Sequence, residues 1–201
     1  MGAKATKLLL GTANSGKIDE LTQLLRGIPL ELFSLTDLGI NLEVEETGDT
    51  LEQNAALKAR AYAAQSGLWT LADDSGLEVD ALGGGPGVRS KRIAGEGASD
   101  DLRVRTLLRL LHRVPWEERS ARFRCVLALA DPKGLLSFYE GVCNGFIQEN
   151  PVGASGFGYD PIFFLPEIGR CMGELTPAEK NRVSHRARAM RKLIPALCAL
   201  E

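Results

Sequence analysis

Apolar and polar positions recur along this chain in two rhythms, one near two residues and one near four, and the switches between them lay out an α/β order. Lys7 to Gly11 is a short apolar run of the kind that forms a buried strand. Ile18, Leu21, Leu24 and Leu25 then share one helical stripe, and Gly27 and Pro29 stop it. The polar turn Thr12-Ala13-Asn14-Ser15-Gly16-Lys17 separates the two. Glu31 to Ser34 reads as a second strand. An alanine-rich helix follows from Leu51 to Gln65, with Gly67 as its stop signal. Leu68 to Ala72 reads as a buried strand that ends at Asp73-Asp74-Ser75-Gly76. Ser99 caps an amphipathic helix from Asp100 to Leu111.

The second half continues in the same way. Ser120 to Ala130 alternates, with Phe123, Cys125, Leu127 and Leu129 on one side, and predicts a long strand. Asp131-Pro132-Lys133-Gly134 is a turn, and Leu135 to Gln148 is the hairpin partner. Ile162-Phe163-Phe164 predicts a short buried strand. Thr176-Pro177-Ala178-Glu179 is a capping box with proline at the first helical position. Ser184 caps a further helix from His185 towards Leu200, and Pro195 predicts a kink in it.

Candidate chemistry sits at the joints of this pattern. Successive side chains of a strand point to opposite faces, so Asp73 and Asp74 do not both face one cleft. One is free to hold a cation or a water, while the other ties down backbone; a polar turn accounts for the same residues. The strand, polar turn and helix around Lys17 place backbone N–H groups and an ammonium at a helix N-terminus, an anion site, though a plain capped helix fits as well. The spacing is not that of a P-loop. Glu45, in the acidic stretch Glu43 to Gly48, becomes a second carboxylate if Asp74 holds a divalent ion. Phe157, flanked by Gly156 and Gly158, is able to lie flat against a planar ligand, or to tuck into the core. Lys180, His185 and Arg186 fall near two helix starts and suit a phosphate or base contact.

Composition narrows the classes. With 201 residues and 44% apolar content, the chain suits one domain, residues 1–201, or two lobes sharing a sheet. A net charge of -2 does not point to a nucleic-acid polymer or a membrane surface as partner. The four cysteines form no CxxC pair and no metal-ligand spacing with His112 or His185, so they read as free thiols in a reducing compartment. No apolar run reaches the length of a membrane span. Met1-Gly2 with Thr6 formally fits an acylation pattern, but no second anchoring signal appears. A cytoplasmic location is expected.

Five stretches in order then carry a resemblance: TANSGK (Thr12 to Lys17), EETGDTLEQNAALKARAYA (Glu45 to Ala63), ADDSGLEVDALGGGPG (Ala72 to Gly87), GFGYDPIFF (Gly156 to Phe164) and ELTPAEKNRVSHR (Glu174 to Arg186). Together they resemble the inosine triphosphate pyrophosphatase family, the non-canonical purine nucleoside triphosphate pyrophosphatases. The resemblance implies a long mixed twisted sheet flanked by helices, two lobes around a central active-site cleft, and a homodimer. It implies hydrolysis of ITP, dITP and XTP to the monophosphate and pyrophosphate with Mg2+. By the same resemblance, Thr12, Ala13, Asn14, Ser15, Gly16 and Lys17 grip phosphates, and Glu45 and Asp74 are metal-site carboxylates. Asp74 also matches the proton acceptor and Ser75 a substrate contact, while Phe157, Gly158, Tyr159, Asp160, Lys180, His185 and Arg186 surround the nucleotide, chiefly its base. Arg89, Lys91 and Ile93 depart from the family's usual residues, which leaves the loop around Arg92 without an assigned role. A related pyrophosphatase for modified pyrimidine nucleotides and a non-catalytic nucleotide-binding regulator are the competing readings.

Overall fold

The computed structural model describes residues 5–200, so Met1 and Gly2 of the acylation pattern lie outside the described residues. The chain forms two compact units. The first takes the chain up to Asp74, then Cys125–Gly141, then the stretch from Arg186 onward; the second takes Ser75–Arg124 and Val142–His185.

In the first unit, β1 (Thr6–Leu10) pairs in parallel with β2 (Leu30–Ser34) on one side and β3 (Trp69–Val79) on the other. The register sets Leu8 against both Leu32 and Trp69. Parallel strands need crossover connections, and α1 (Ser15–Leu24) and α2 (Leu51–Ser66) supply them. Side chains of β1 alternate. Leu8 and Leu10 join Leu21, Leu25, Leu71, Cys125, Leu127 and Leu129 in one core, closed by Ala189, Met190, Leu193 and Leu197 of α5 (His185–Cys198). Leu9 faces the other way, against Leu35, Ile40 and Tyr62 of α2. Helices therefore cover both faces, the usual condition of a parallel sheet.

The second unit is built on β3 beyond Asp74, β4 (Pro86–Gly87), α3 (Asp100–Leu110), β5 (Ser120–Ala130) up to Arg124, and β6 (Leu136–Ile147) from Val142. It adds β7 (Phe163–Leu165), β8 (Arg170–Cys171) and α4 (Pro177–Val183). β6, β7 and β8 pair antiparallel, and the strand order is β2-β1-β3-β5-β6-β7-β8, with β4 paired to β3. Its core gathers Leu77, Val79, Leu107, Leu111, Phe123, Ile147, Ile162 and Phe163. No helix among the described residues is long and apolar enough to cross a membrane.

The predicted elements are present, with boundary shifts of known cause. Helix α1 begins at Ser15, three residues before the apolar stripe, because Asn14 caps it by accepting a hydrogen bond from the Lys17 amide at 2.9 Å. Gly67 ends α2 with φ 67°, a left-handed conformation that glycine adopts without strain. The capping box at Thr176 and Glu179 is formed as predicted. Helix α5 is a single run with Pro195 inside it. Strand β5 alternates only as far as Arg124; from Cys125 both faces are buried, since helices cover both sides there.

The substantive correction concerns β3. The sequence predicts a strand ending at Ala72 and a ligand loop at Asp73-Asp74-Ser75-Gly76. The strand instead runs on to Val79, so these residues lie inside it. Polar residues of turn character hold an extended conformation because partners exist for each of them. Gly76 makes room for β4: a Cβ there would lie 2.3 Å from the Gly87 carbonyl oxygen, and Leu77 pairs with Gly87. Ser90 fastens the same point, accepting from the Leu77 amide at 2.8 Å and donating to the Gly87 carbonyl at 2.6 Å. Gly76→Ala is expected to push β4 away and to lower stability by about 1–3 kcal/mol, read by urea unfolding; an unchanged midpoint would contradict this packing.

Candidate active site

Two adjacent carboxylates on β3 organise the polar groups of the first unit. Asp73 is fully buried. Its Oδ1 accepts from Lys17 Nζ at 2.5 Å and its Oδ2 from Arg186 Nε at 2.7 Å. The Cys125 thiol, which burial and Asp73 keep protonated by raising its pKa well above the usual range, donates to Oδ2 at 3.2 Å. Arg186 also pairs with Glu20 of α1 through Nη1. Burial alone would raise the Asp73 pKa; the Arg186 guanidinium and then the Lys17 ammonium outweigh it and hold the carboxyl well below its ordinary value.

Asp74 points the other way along the strand and meets a different cation. Lys58, from the buried face of α2, donates to Asp74 Oδ1, to the Asp73 carbonyl and to Glu46 Oε1, each at 2.8 Å. An ammonium has three hydrogens, and these three acceptors use them all. Lys17 Nζ reaches the same Asp73 carbonyl at 3.3 Å. Burial raises the Asp74 pKa, and Glu46 adds to that, against the opposing pull of Lys58 and Lys17. Lys58 is shifted upward: burial works against its charge, but Asp74 and Glu46 overcome it. Two carboxylates thus share one fully engaged ammonium, and Lys17 acts on Asp74 besides.

The second unit holds an aromatic loop. The Phe157 amide donates to Asp160 Oδ2 at 2.9 Å, and the same oxygen pairs with Lys180, whose ammonium sits 4.7 Å from the Phe157 ring centroid. The Gly158 amide donates to Asp100 Oδ2 at 2.7 Å. Tyr159, its pKa raised by burial, donates its hydroxyl to the Ser90 carbonyl at 2.6 Å. Gly156 has φ 78°, and a Cβ there would overlap Asp160 Oδ2. His185 stacks on Phe123 with centroids 4.7 Å apart and planes 16° from parallel.

A family model described as the Ham1 family matches residues 8–196. The chain belongs to the Ham1 family. A dITP/XTP pyrophosphatase from Geobacter sulfurreducens is 50% identical over 185 residues, covering 92% of this chain and 93% of that protein. One from Geobacillus kaustophilus is 48% identical over 187 residues, 93% of this chain and 92% of the relative. The solved structure of a HAM1 protein from Coxiella burnetii superposes with a TM-score of 0.88 at 41% identity, covering 97% of this chain and all of the other.

Within this Ham1 chain the predicted residues distribute unevenly. Thr12 to Lys17 form the β1–α1 joint as expected: the Thr12 hydroxyl accepts from the Asn14 amide at 3.2 Å, and Asn14 caps the helix. Lys17 and Asp74 fall in one unit. Glu45 is exposed, whereas its neighbour Glu46 reaches Lys58. Arg186, expected at the base, is 1% exposed and engaged by Asp73 and Glu20. Ser75, the aromatic loop, Lys180 and His185 belong to the other unit. Sequence reasoning missed Lys58, Glu46, Asp73 as a charge clamp, and Glu20. A lysine on the alanine-rich face of α2 was the available signal for Lys58, since a buried helix stripe carries a lysine only when paired.

Removing one partner of a buried charged cluster costs about 3–5 kcal/mol, because the remaining charges stay buried without compensation. Asp73→Asn is therefore expected to lower the melting temperature by roughly 10 °C, using about 2–4 °C per kcal/mol for a chain of this size. The depressed Asp73 pKa contributes stability that is complete above the unfolded value near 3.8 and is lost as pH falls through the folded value. The variant should accordingly lose less stability than the wild type on acidification below about pH 4. Equal thermal and acid stability in the two proteins would contradict the clamp.

Proposed function

We propose that this chain hydrolyses non-canonical purine nucleoside triphosphates, ITP, dITP and XTP, to the monophosphate and pyrophosphate, and so removes them from the nucleotide pool. The observation that carries the reading is Lys58, held between Asp74 and Glu46, with Lys17 at the capped start of α1 in the same unit. The names of the relatives, dITP/XTP pyrophosphatase, support the substrate class.

The donor set fits a divalent ion. Magnesium is usually held by one or two carboxylates together with substrate phosphates, and Asp74 and Glu46 supply two carboxylates whose charge Lys58 only partly offsets. Glu46, rather than the predicted Glu45, is the partner of Asp74 in this assignment. Magnesium, when bound, would neutralise charge developing on the phosphates and lower the pKa of a coordinated water. The chain's own residues do the rest. Lys17, with its ammonium fixed by Asp73, adds a preorganised cation for the phosphates alongside the N–H groups of the helix start. Lys58 fixes the Asp74 carboxylate through its Oδ1, which suits Asp74 to orient the attacking water and accept its proton. Ser75, next along the strand, is a substrate contact.

Base recognition falls to the second unit. The Phe157 ring offers a stacking face, with the Lys180 ammonium 4.7 Å from its centroid and paired with Asp160. Hypoxanthine and xanthine carry an acceptor at position 6 where adenine carries a donor, so a donor there leaves adenine mismatched. Such a buried mismatch supplies selectivity of about 10⁴-fold. Gly158, Tyr159, Asp160 and His185 shape this region. Arg186, engaged by two carboxylates, acts through Asp73 on Lys17 instead of on the base. The remaining parts of the reading are a single domain of two lobes around one cleft, a homodimer, and a cytoplasmic location. They rest on the resemblance and, for location, on four free thiols.

A pyrophosphate-release screen over nucleoside triphosphates tests the assignment. dITP and XTP should be turned over with magnesium and not with a chelator, and dATP and modified dUTP should be poor substrates. Preference for the modified pyrimidine would transfer the chain to the related activity, and no turnover at all would leave only nucleotide binding. Asp74→Asn should lower kcat by about 10²-fold or more while nucleotide binding persists. Glu46→Gln should lower kcat/KM by a similar factor of about 10², and Glu45→Gln by less than about threefold, since only Glu46 meets Lys58. The reverse ranking of the two glutamates would return the metal role to Glu45.

A further inference from the structure

One buried side chain in the first unit remains without a function. Asn54 sits on α2 one turn before Lys58, hence on the same helix face, and is fully buried. Its Oδ1 accepts from the Gly48 amide at 2.8 Å. Its neighbour Gln53 accepts from the Asp49 amide at 2.7 Å through Oε1. These two bonds fasten the acidic loop, two and three residues beyond Glu46, to the helix that carries Lys58. The fit leaves no space: a Cβ on Gly48 would lie 2.6 Å from Gln53 Cβ and 2.8 Å from Asn54 Oδ1.

The other half of the Asn54 amide gives the second observation. Nδ2 is buried and has no hydrogen-bond partner among the described residues. A buried donor left without an acceptor costs stability, and such groups in native proteins call for a specific explanation. An aspartate would satisfy the Gly48 amide without the surplus donor, but it would add a further negative charge to the unit that already buries Asp73 and Asp74. Asparagine supplies the acceptor and stays neutral.

We propose that Asn54 is the positioning residue of the metal end: it pins the acidic loop through Gly48 so that the Glu46 carboxylate is held against Lys58 beside Asp74. The inference rests on the reading of Glu46 and Asp74 as the carboxylates for a divalent ion. Without the pin, the loop backbone is free to leave α2, and the Glu46 carboxylate no longer has a fixed place when the ion arrives.

The test uses the full chain. Mn2+ binding is followed by electron paramagnetic resonance in enzyme saturated with a non-hydrolysable dITP analogue, alongside kcat, KM for dITP and the melting temperature, for the wild type, Asn54→Ala, Asn54→Asp and Glu46→Gln. Supporting residues around a metal typically change affinity by about 10–100-fold. Asn54→Ala should weaken Mn2+ binding by about tenfold and lower kcat, with KM for dITP within about twofold of the wild type. Its melting temperature should fall only modestly, because the loss of the acceptor for the Gly48 amide is partly offset by the orphaned donor leaving with the side chain. Asn54→Asp, which keeps the acceptor for Gly48, should recover most of the lost metal affinity. Should Asn54→Ala not fold, Gly48→Ala breaks the same contact from the loop side and should show the same metal defect. Unchanged Mn2+ binding in Asn54→Ala with a lowered melting temperature overturns the inference, since that is the signature of a purely structural bond. If Glu46→Gln weakens Mn2+ binding and Asn54→Ala does not, the inference alone fails; if Glu46→Gln itself binds Mn2+ like the wild type, the metal reading beneath it fails.

Discussion

Two neighbouring carboxylates in the middle of a buried strand would be an electrostatic liability without cations arranged on each side. Asp73 and Asp74 stand next to one another on β3, and strand geometry sends them to opposite faces. Each is matched separately, Asp73 by Lys17 and Arg186, Asp74 by Lys58. Both lysines also donate to the carbonyl of Asp73, so one peptide unit is gripped from two sides. Desolvating an isolated charge costs several kcal/mol or more, by the order of magnitude expected for protein interiors. The fold therefore has to deliver these three cations to these two residues.

That demand is met by the parallel core of the first unit. Lys17 arrives because α1 starts at Ser15, directly after β1, the neighbour of β3. Lys58 arrives on the face of α2 turned towards the core, and Arg186 on the first turn of α5. Three helices each contribute one cation to one strand, and their apolar faces supply the burial that strengthens every pair. The same ion pairs that make β3 tolerable also hold the Lys17 ammonium and the Asp74 carboxylate in place.

The second unit solves a different problem, that of holding an aromatic ring on a glycine-rich segment. Glycines at 156 and 158 adopt positive φ and give the loop its path, but they supply no rigidity. Rigidity comes from outside the loop. Asp100 takes the Gly158 amide, Ser90 takes the Tyr159 hydroxyl, and Asp160 takes the Phe157 amide while paired with Lys180. Phe157 is thereby a fixed platform on a flexible sequence.

Local pattern was enough to read most of this protein from its sequence. Capping residues, glycine stops and apolar stripes act over a few residues, so α1 to α5 and the long β5–β6 pair were legible within a few positions. The capped strand-to-helix joint at Lys17 was legible for the same reason. What tertiary structure alone decided is which charges meet. Turn-like residues from Asp73 to Gly76 became a strand interior because β4 and three distant cations pair with them, and no local rule encodes partners so far along the chain. The pairing of Lys58 with Glu46 is of the same kind: adjacent carboxylates look alike in sequence, and only the approach of Lys58 from α2 distinguishes Glu46 from Glu45. Arg186, which its position near a helix start suggested for ligand contact, is also engaged by Asp73 and Glu20, because a buried carboxylate must be neutralised by whichever cation the packing brings within reach.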